Sequence, residues 1–232
     1  MKGSIVLEGG AEFGGQMAAV DRRALELAGG AEANVVILPT AAAPDHNHQR
    51  AGGNGLRWFQ SLGARQVTLL ALIDRATAED AAIAAAIRRA RLIYLLGGFT
   101  HYLGQTLAGS LCLQAMREAH SAGAVVAGSS AGAMVLCQDY FNPETSSVVS
   151  GLGFVPNACV IPHHDTFGKG WAPRLTAQLP GGVLIGIDEQ TGMIDDGPEG
   201  AWTIYGKGAV TLYRNGRATV FHSGEAFQLS LF

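Results

Sequence analysis

Positive charge is in short supply. Sixteen Lys and Arg stand against nineteen Asp and Glu in 232 residues, a net charge of −3, so no cationic surface is available to neutralise a run of phosphates. Nucleic acid is excluded as the expected partner. Cysteine is scarce as well. Cys112, Cys137 and Cys159 are odd in number, widely spaced and set among apolar residues, which argues against a disulfide framework or a zinc ribbon and suits a reducing compartment. Nowhere do about eighteen apolar residues run together, so no membrane-spanning helix and no membrane partner are expected. Met1 to Glu8 carries one cation and an apolar stretch too short for a signal peptide, which predicts a cytoplasmic protein. Internal repeats, low-complexity blocks and domain linkers are lacking too, and the expectation is a single domain over residues 1–232.

What the chain does have is apolar residues, 48% of the total, and 32 glycines placed as punctuation. Ile5 to Leu7 stops at Gly9-Gly10, Val35 to Leu38 at Pro39, Arg91 to Leu96 at Gly97-Gly98, and Ala124 to Ala127 at Gly128. Segments of helical composition lie between such runs: Gln16 to Ala28, Leu56 to Leu62, and Ala76 to Arg89 with Thr77 as an N-cap and Asp80 at its third position. Strand and helix in alternation predict parallel strands with crossover helices, an α/β fold. After Val183 to Ile187 the pattern changes. Ala201 to Tyr205, Ala209 to Tyr213 and Ala218 to Phe221 alternate and are joined by short Gly-containing turns, so antiparallel strands are expected to extend one edge of the same sheet.

The segment 123–136 reads as an apolar strand, then Gly128-Ser129-Ser130-Ala131-Gly132, then a helix. A Gly-x-Ser-x-Gly arises by chance about 0.2 times in a chain with this much Gly and Ser, so its context matters. The strand before and the helix after make it a nucleophile elbow, a turn tight enough that side chains at 128 and 132 would crowd the backbone. The helix that follows would offer its free N–H groups to a developing oxyanion. The plainer alternative is a Gly-rich turn that lets a helix pack close to a sheet.

A nucleophilic serine needs a base, and the base needs an orienting acid. Cys159 to Ile161 ends in Pro162-His163-His164-Asp165, and Val183 to Ile187 ends in Asp188-Glu189. Both follow apolar strands whose carboxyl ends should line the crevice holding Ser130. Neighbours on an extended segment face opposite ways, so one of His163 and His164, and one of Asp188 and Glu189, should face the serine. Residue pattern alone leaves both choices open, along with a metal-binding reading of the His pair with Asp165. Asp45-His46-Asn47-His48 reads as a solvated loop after Pro44. Cys137, seven residues past Ser130, is expected two helical turns along the same face. The Ser-acid-His order of an α/β-hydrolase esterase would instead enlist Ser130, Asp195 or Asp196, and His222, but the His-Gly-Gly oxyanion motif is missing.

Leu7-Glu8-Gly9-Gly10, Ile37-Leu38-Pro39-Thr40-Ala41-Ala42, Leu96-Gly97-Gly98-Phe99-Thr100, Ser130-Ala131-Gly132-Ala133, Gly151-Leu152-Gly153-Phe154 and Gly186-Ile187-Asp188-Glu189-Gln190-Thr191 occur in that order. In these elements the chain resembles the cyanophycinase and aspartyl-dipeptidase (dipeptidase E-like) family of serine peptidases. The resemblance implies a three-layer α/β/α, flavodoxin-like fold similar to that of class I glutamine amidotransferases, with a mostly parallel sheet. It implies a triad of Ser130 as nucleophile, His163 as base and Glu189 as orienting acid, with His164 as understudy. It also implies an oxyanion hole formed by the Gly98 and Ala131 N–H groups, no metal and no organic cofactor. Phe99, Thr100, His164 and Arg174 are candidates for the substrate pocket. The chain departs from the cyanophycinase pattern before and after the histidines, with Ile161-Pro162 and Thr166-Phe167-Gly168-Lys169. The expected partner is a small peptide, a homodimer is left open, and a non-catalytic amidotransferase-like binding module is the rival outside enzymology.

Overall fold

The computed structural model describes residues 2–179 and 181–229. Its first half runs β1 (Ile5–Glu8), α1 (Met17–Leu27), β2 (Asn34–Leu38), α2 (His48–Ser61), β3 (Gln66–Leu69), α3 (Arg75–Ala78), α4 (Ala81–Arg89), β4 (Leu92–Leu95), α5 (Thr100–Leu107), α6 (Leu111–Ser121), β5 (Val125–Ser129) and α7 (Ala131–Leu136). The second half adds β6 (Asp139–Asn142), β7 (Ser147–Ser150), β8 (Ala158–Ile161), α8 (Ala172–Gln178), β9 (Val183–Ile187), β10 (Thr191–Ile194), β11 (Trp202–Gly206), β12 (Ala209–Arg214), β13 (Arg217–His222) and β14 (Ala226–Phe227).

The main sheet has the order β14-β11-β10-β1-β5-β4-β2-β3, and β1, β5, β4, β2 and β3 are parallel. Its central strands β1, β2, β4 and β5 are apolar on both faces, the mark of a sheet covered on both sides. Ile5, Leu7, Val36, Leu38, Ile93, Leu95 and Val126 point into one core, with α4 to α7. Val6, Val35, Ile37, Leu92, Tyr94, Val125 and Ala127 point into the other, beneath α1 and α2. The three-layer α/β/α arrangement that the resemblance implies holds. No helix among the described residues is long and apolar enough to cross a membrane.

Four local expectations are corrected. The antiparallel segments do not all extend one edge: β10, β11 and β14 do, whereas β12 and β13 join β9 and β8 in a second sheet of order β13-β12-β9-β8. The cause is β9, buried along its whole length, which needs a neighbour on each side and finds β8 parallel and β12 antiparallel. Ala76 to Arg89 is two helices because it carries two caps. Asp74 accepts from Thr77 N–H at 2.8 Å at the start of α3, and Asp80 accepts from the Ala82 and Ile83 N–H groups at the start of α4. His48 opens α2 rather than ending a loop, and Cys137 closes the six-residue α7 instead of riding two turns along it.

Candidate active site

Ser130 joins β5 to α7 at φ 48° and ψ −109°, a conformation that a residue with a Cβ adopts only under constraint. The constraint is close packing of backbone. A Cβ on Gly128 would sit 2.4 Å from the Gly132 carbonyl carbon, and one on Gly132 would sit 2.4 Å from the Leu95 oxygen. With both positions bare, α7 lies tight against β4 and β5. The Ser130 N–H donates to the Glu8 carbonyl of β1 at 3.0 Å, and the bend lifts the hydroxyl clear of the sheet.

The histidine comes from the second sheet. His163 follows β8 at φ 48°, in a turn where its carbonyl accepts from the N–H groups of Thr166 and Gly168. Its own N–H donates to the Gly9 carbonyl at 2.7 Å. Glu189 follows β9, and its N–H donates to Asp165 Oδ1 at 2.8 Å. The next N–H, of Gln190, donates to the Gly10 carbonyl at 3.1 Å. Gly9 and Gly10, just past β1, thus bind the His163 turn and the Glu189 turn to the main sheet. Gly10 is at φ 117°, and a Cβ there would lie 2.3 Å from His163 Cε1, so any side chain at this position pushes the imidazole aside.

The result is a hydrogen-bonded line across two sheets. Ser130 Oγ is 3.1 Å from His163 Nε2, and His163 Nδ1 is 2.8 Å from Glu189 Oε1. Phe167 stacks on the imidazole with ring centroids 4.9 Å apart, and is itself 58% exposed. The Gly98 and Ala131 N–H groups flank the serine, and neither has an acceptor among the described residues. Gly98 is at φ 138°, where a Cβ would lie 2.3 Å from the Ala41 oxygen.

His164 is not brought to Ser130. Its ring is buried on the far side of the turn, with Nδ1 3.2 Å from Asp188 Oδ1 and Nε2 2.8 Å from the Tyr213 hydroxyl. The expectation that it serves as understudy or lines the pocket is therefore corrected. The alternation rule sorts the pairs: His163 with Glu189 toward the serine, His164 with Asp188 away from it. Asp188 Oδ2 also accepts from the Ala209 N–H of β12 at 2.9 Å. Phe99 stands exposed next to Gly98, and the Thr100 hydroxyl turns to Met134 Sδ at 3.5 Å. Arg174 is exposed on α8, and no hydrogen bond or ion pair ties it to the Ser130–His163 line.

The esterase arrangement finds no support. Asp195 Oδ1 accepts from the Ile5 N–H at 2.7 Å, which puts Asp195 and Asp196 at the opposite end of β1, about 10 Å along the strand from Glu8 and the elbow. Asp196 is occupied by Arg23 and the Tyr205 hydroxyl, both at 2.7 Å. His222 is exposed at the end of β13.

Two groups beneath the elbow gave no signal in the sequence. Glu12, in the loop after β1, accepts from the Ser129 hydroxyl at 3.0 Å. Below it Glu8 and Asp21 are fully buried, Glu8 accepting from the Tyr94 hydroxyl and Asp21 from the Trp58 indole. Glu8 Oε1 and Asp21 Oδ1 are buried and have no hydrogen-bond partner among the described residues. Burial raises both pKa values, that of Asp21 to about 7. A raised folded-state pKa gives stability that is complete below the unfolded value of 3.8 and is lost as pH climbs through about 7. Asp21→Asn, always neutral, should therefore gain on the wild type as pH rises. Differential scanning fluorimetry should show the Tm difference, variant minus wild type, increasing by about 3 °C or more from pH 5.5 to pH 8. A constant difference would mean that the pair does not titrate in this range.

A serine, a histidine and a carboxylate in line are the arrangement of a serine-type hydrolase. Comparison with known proteins supplies the family: peptidase family S51 matches residues 5–197, and the chain belongs to it. Cyanophycinases of Trichormus variabilis and Geminocystis herdmanii are each 27% identical to the chain, over 201 and 204 residues and 82% of its length. The match covers 66% of the Trichormus protein and 73% of the Geminocystis one, so the chain spans about two thirds of the length of these relatives. A crystal structure of a peptidase from an acI-B1 Actinobacterium superposes with a TM-score of 0.88 at 29% identity, covering 98% of this chain and 97% of the other. A candidate peptidase E protein from Listeria monocytogenes gives a TM-score of 0.62 at 17% identity over 95% of this chain and 98% of that one, a likeness of fold alone.

Proposed function

We propose that the chain hydrolyses small peptides or isopeptides through an acyl-enzyme, with Ser130 as nucleophile, His163 as base and Glu189 as the acid that orients it. The observation that carries this reading is the line Ser130 Oγ, His163 Nε2, His163 Nδ1, Glu189 Oε1, with contacts of 3.1 Å and 2.8 Å drawn from three separate loops. In this reading Nε2 takes the serine proton as Oγ attacks an amide carbonyl. The Gly98 and Ala131 N–H groups, which have no acceptor among the described residues, receive the oxyanion. The imidazolium is stabilised by Glu189 and then gives its proton to the leaving amine. Water, deprotonated by the same nitrogen, releases the acyl group.

That the substrate is a peptide is inferred from a relative named as a peptidase. Exposed Phe99 and Phe167 beside the serine and the imidazole favour a substrate that offers them apolar surface. The three buried free thiols suit the cytoplasm as the place of action. A panel of dipeptides with α-aspartyl, β-aspartyl and uncharged first residues tests the proposal. Time-dependent release of free amino acids from at least one member, blocked by a fluorophosphonate, is the expected result. No turnover of any member would reject peptide hydrolysis.

A further inference from the structure

We propose that Glu12 is a specificity-determining residue whose carboxylate binds a free primary ammonium on the acyl residue of the substrate, an inference that rests on Ser130 being the nucleophile. Glu12 lies two residues past Gly10, in the loop that holds the His163 and Glu189 turns to the main sheet. One of its oxygens, Oε2, is fixed by the hydroxyl of Ser129, the residue before the nucleophile, at 3.0 Å. The other, Oε1, lies close to Gly97, which also neighbours Ser130. A Cβ built on Gly97 would stand 3.2 Å from Oε1 and 3.3 Å from Ser130 Cβ, so the oxygen and the serine are separated by no more than the sum of those distances.

This carboxylate is half-buried, and no Lys, Arg or His among the described residues pairs with it. Glu8 and Asp21 lie behind it, near enough for its charge to help push their pKa values up. Its surroundings are therefore negative and short of cations, and a partly desolvated anion of this kind gains most from a cation brought by a ligand. The way in is open. Glu12 lines a groove of about 390 Å3 with Phe13, Asn54, Arg57, Trp58 and Ser61. The cation of that groove, Arg57, is engaged with Asn54 Oδ1 at 2.7 Å.

Distance and valence select the kind of cation. A carbonyl carbon poised for attack lies about 3 Å from Oγ. An α-ammonium is about 2.5 Å from that carbon, within reach of a charge-assisted bond to Oε1. Ser129 already takes one lone pair of Oε2, so Oε1 is the less encumbered acceptor, and one charge-assisted bond to it suits the point charge of an ammonium.

The test measures protection of Ser130 from a fluorophosphonate. Ala-Ala, α-Asp-Ala and β-Asp-Ala, each with a free or an N-acetylated amino group, compete with the probe in wild type and in Glu12→Gln. At least one free dipeptide should halve labelling of the wild type at a concentration about 30-fold below that of its acetylated twin. In Glu12→Gln that ratio should fall to about threefold or less. A Glu12 that served only to hold the elbow would weaken both twins alike and leave the ratio intact, which would overturn the inference. Equal or absent protection in the wild type, a comparison that needs no variant to fold, would overturn it too. Failure of the wild-type Ser130 to label is a separate result that removes the nucleophile, and the inference with it.

Discussion

Ser130→Ala is expected to lower kcat/KM for any dipeptide substrate by about 10^4-fold or more while leaving the fold unchanged. Both halves of this expectation come from the same contact. Among the described residues the hydroxyl has one partner, His163 Nε2 at 3.1 Å, so its loss removes the attacking atom and little else. The bend itself is set by Gly128, Gly132 and the Ser130 N–H bond to Glu8, none of which involves Oγ. Alanine keeps the Cβ and bears the same strain at φ 48°, so the Tm should stay within about 2 °C. A residual rate is expected, because the Gly98 and Ala131 N–H groups remain. Steady-state kinetics beside a thermal melt check both halves. Undiminished turnover with an intact fold would remove Ser130 from the chemistry.

The second large effect separates two neighbouring histidines. His163→Asn should cost about 10^3- to 10^4-fold in kcat/KM, since asparagine can neither take the serine proton nor return it. His164→Asn should cost less than about tenfold in kcat/KM. Its price falls on stability instead, because the ring fills a buried site between Asp188 and Tyr213, where a lost pair of hydrogen bonds destabilises by about 1–3 kcal/mol. The measurement is kcat/KM together with Tm for both variants. A large kinetic loss in His164→Asn and a small one in His163→Asn would reverse the assignment of the base.

Much of this site was legible in the residues, and what was not has a physical reason. Gly-x-Ser-x-Gly could be read because small residues are obligatory wherever backbone passes within contact distance, as the Cβ clashes at Gly128 and Gly132 show. The choice between His163 and His164 could not be read from spacing. It is made by distant groups: Gly9, whose carbonyl takes the His163 N–H, and Tyr213, which takes the His164 ring. Strand composition also identified β9 and β12 but not their pairing, because the choice of partner is a long-range matter that leaves no local trace. Glu12 was invisible for the same reason. Its neighbour Ser129 lies 117 residues away, and only the folded sheet sets the two side by side. Ala76 to Arg89 failed differently. Its cap residues Asp74, Thr77 and Asp80 all stand in the sequence, but two start signals overlap there and read as one.

The central claim is that one hydroxyl, at position 130, becomes the acyl carrier. The most direct measurement is peptide mapping by mass spectrometry after the wild type has reacted with a stoichiometric fluorophosphonate. A single adduct on Ser130, absent from His163→Asn under the same exposure, is the predicted result. An adduct on Ser129 or elsewhere, with Ser130 unmodified and activity lost, would contradict it.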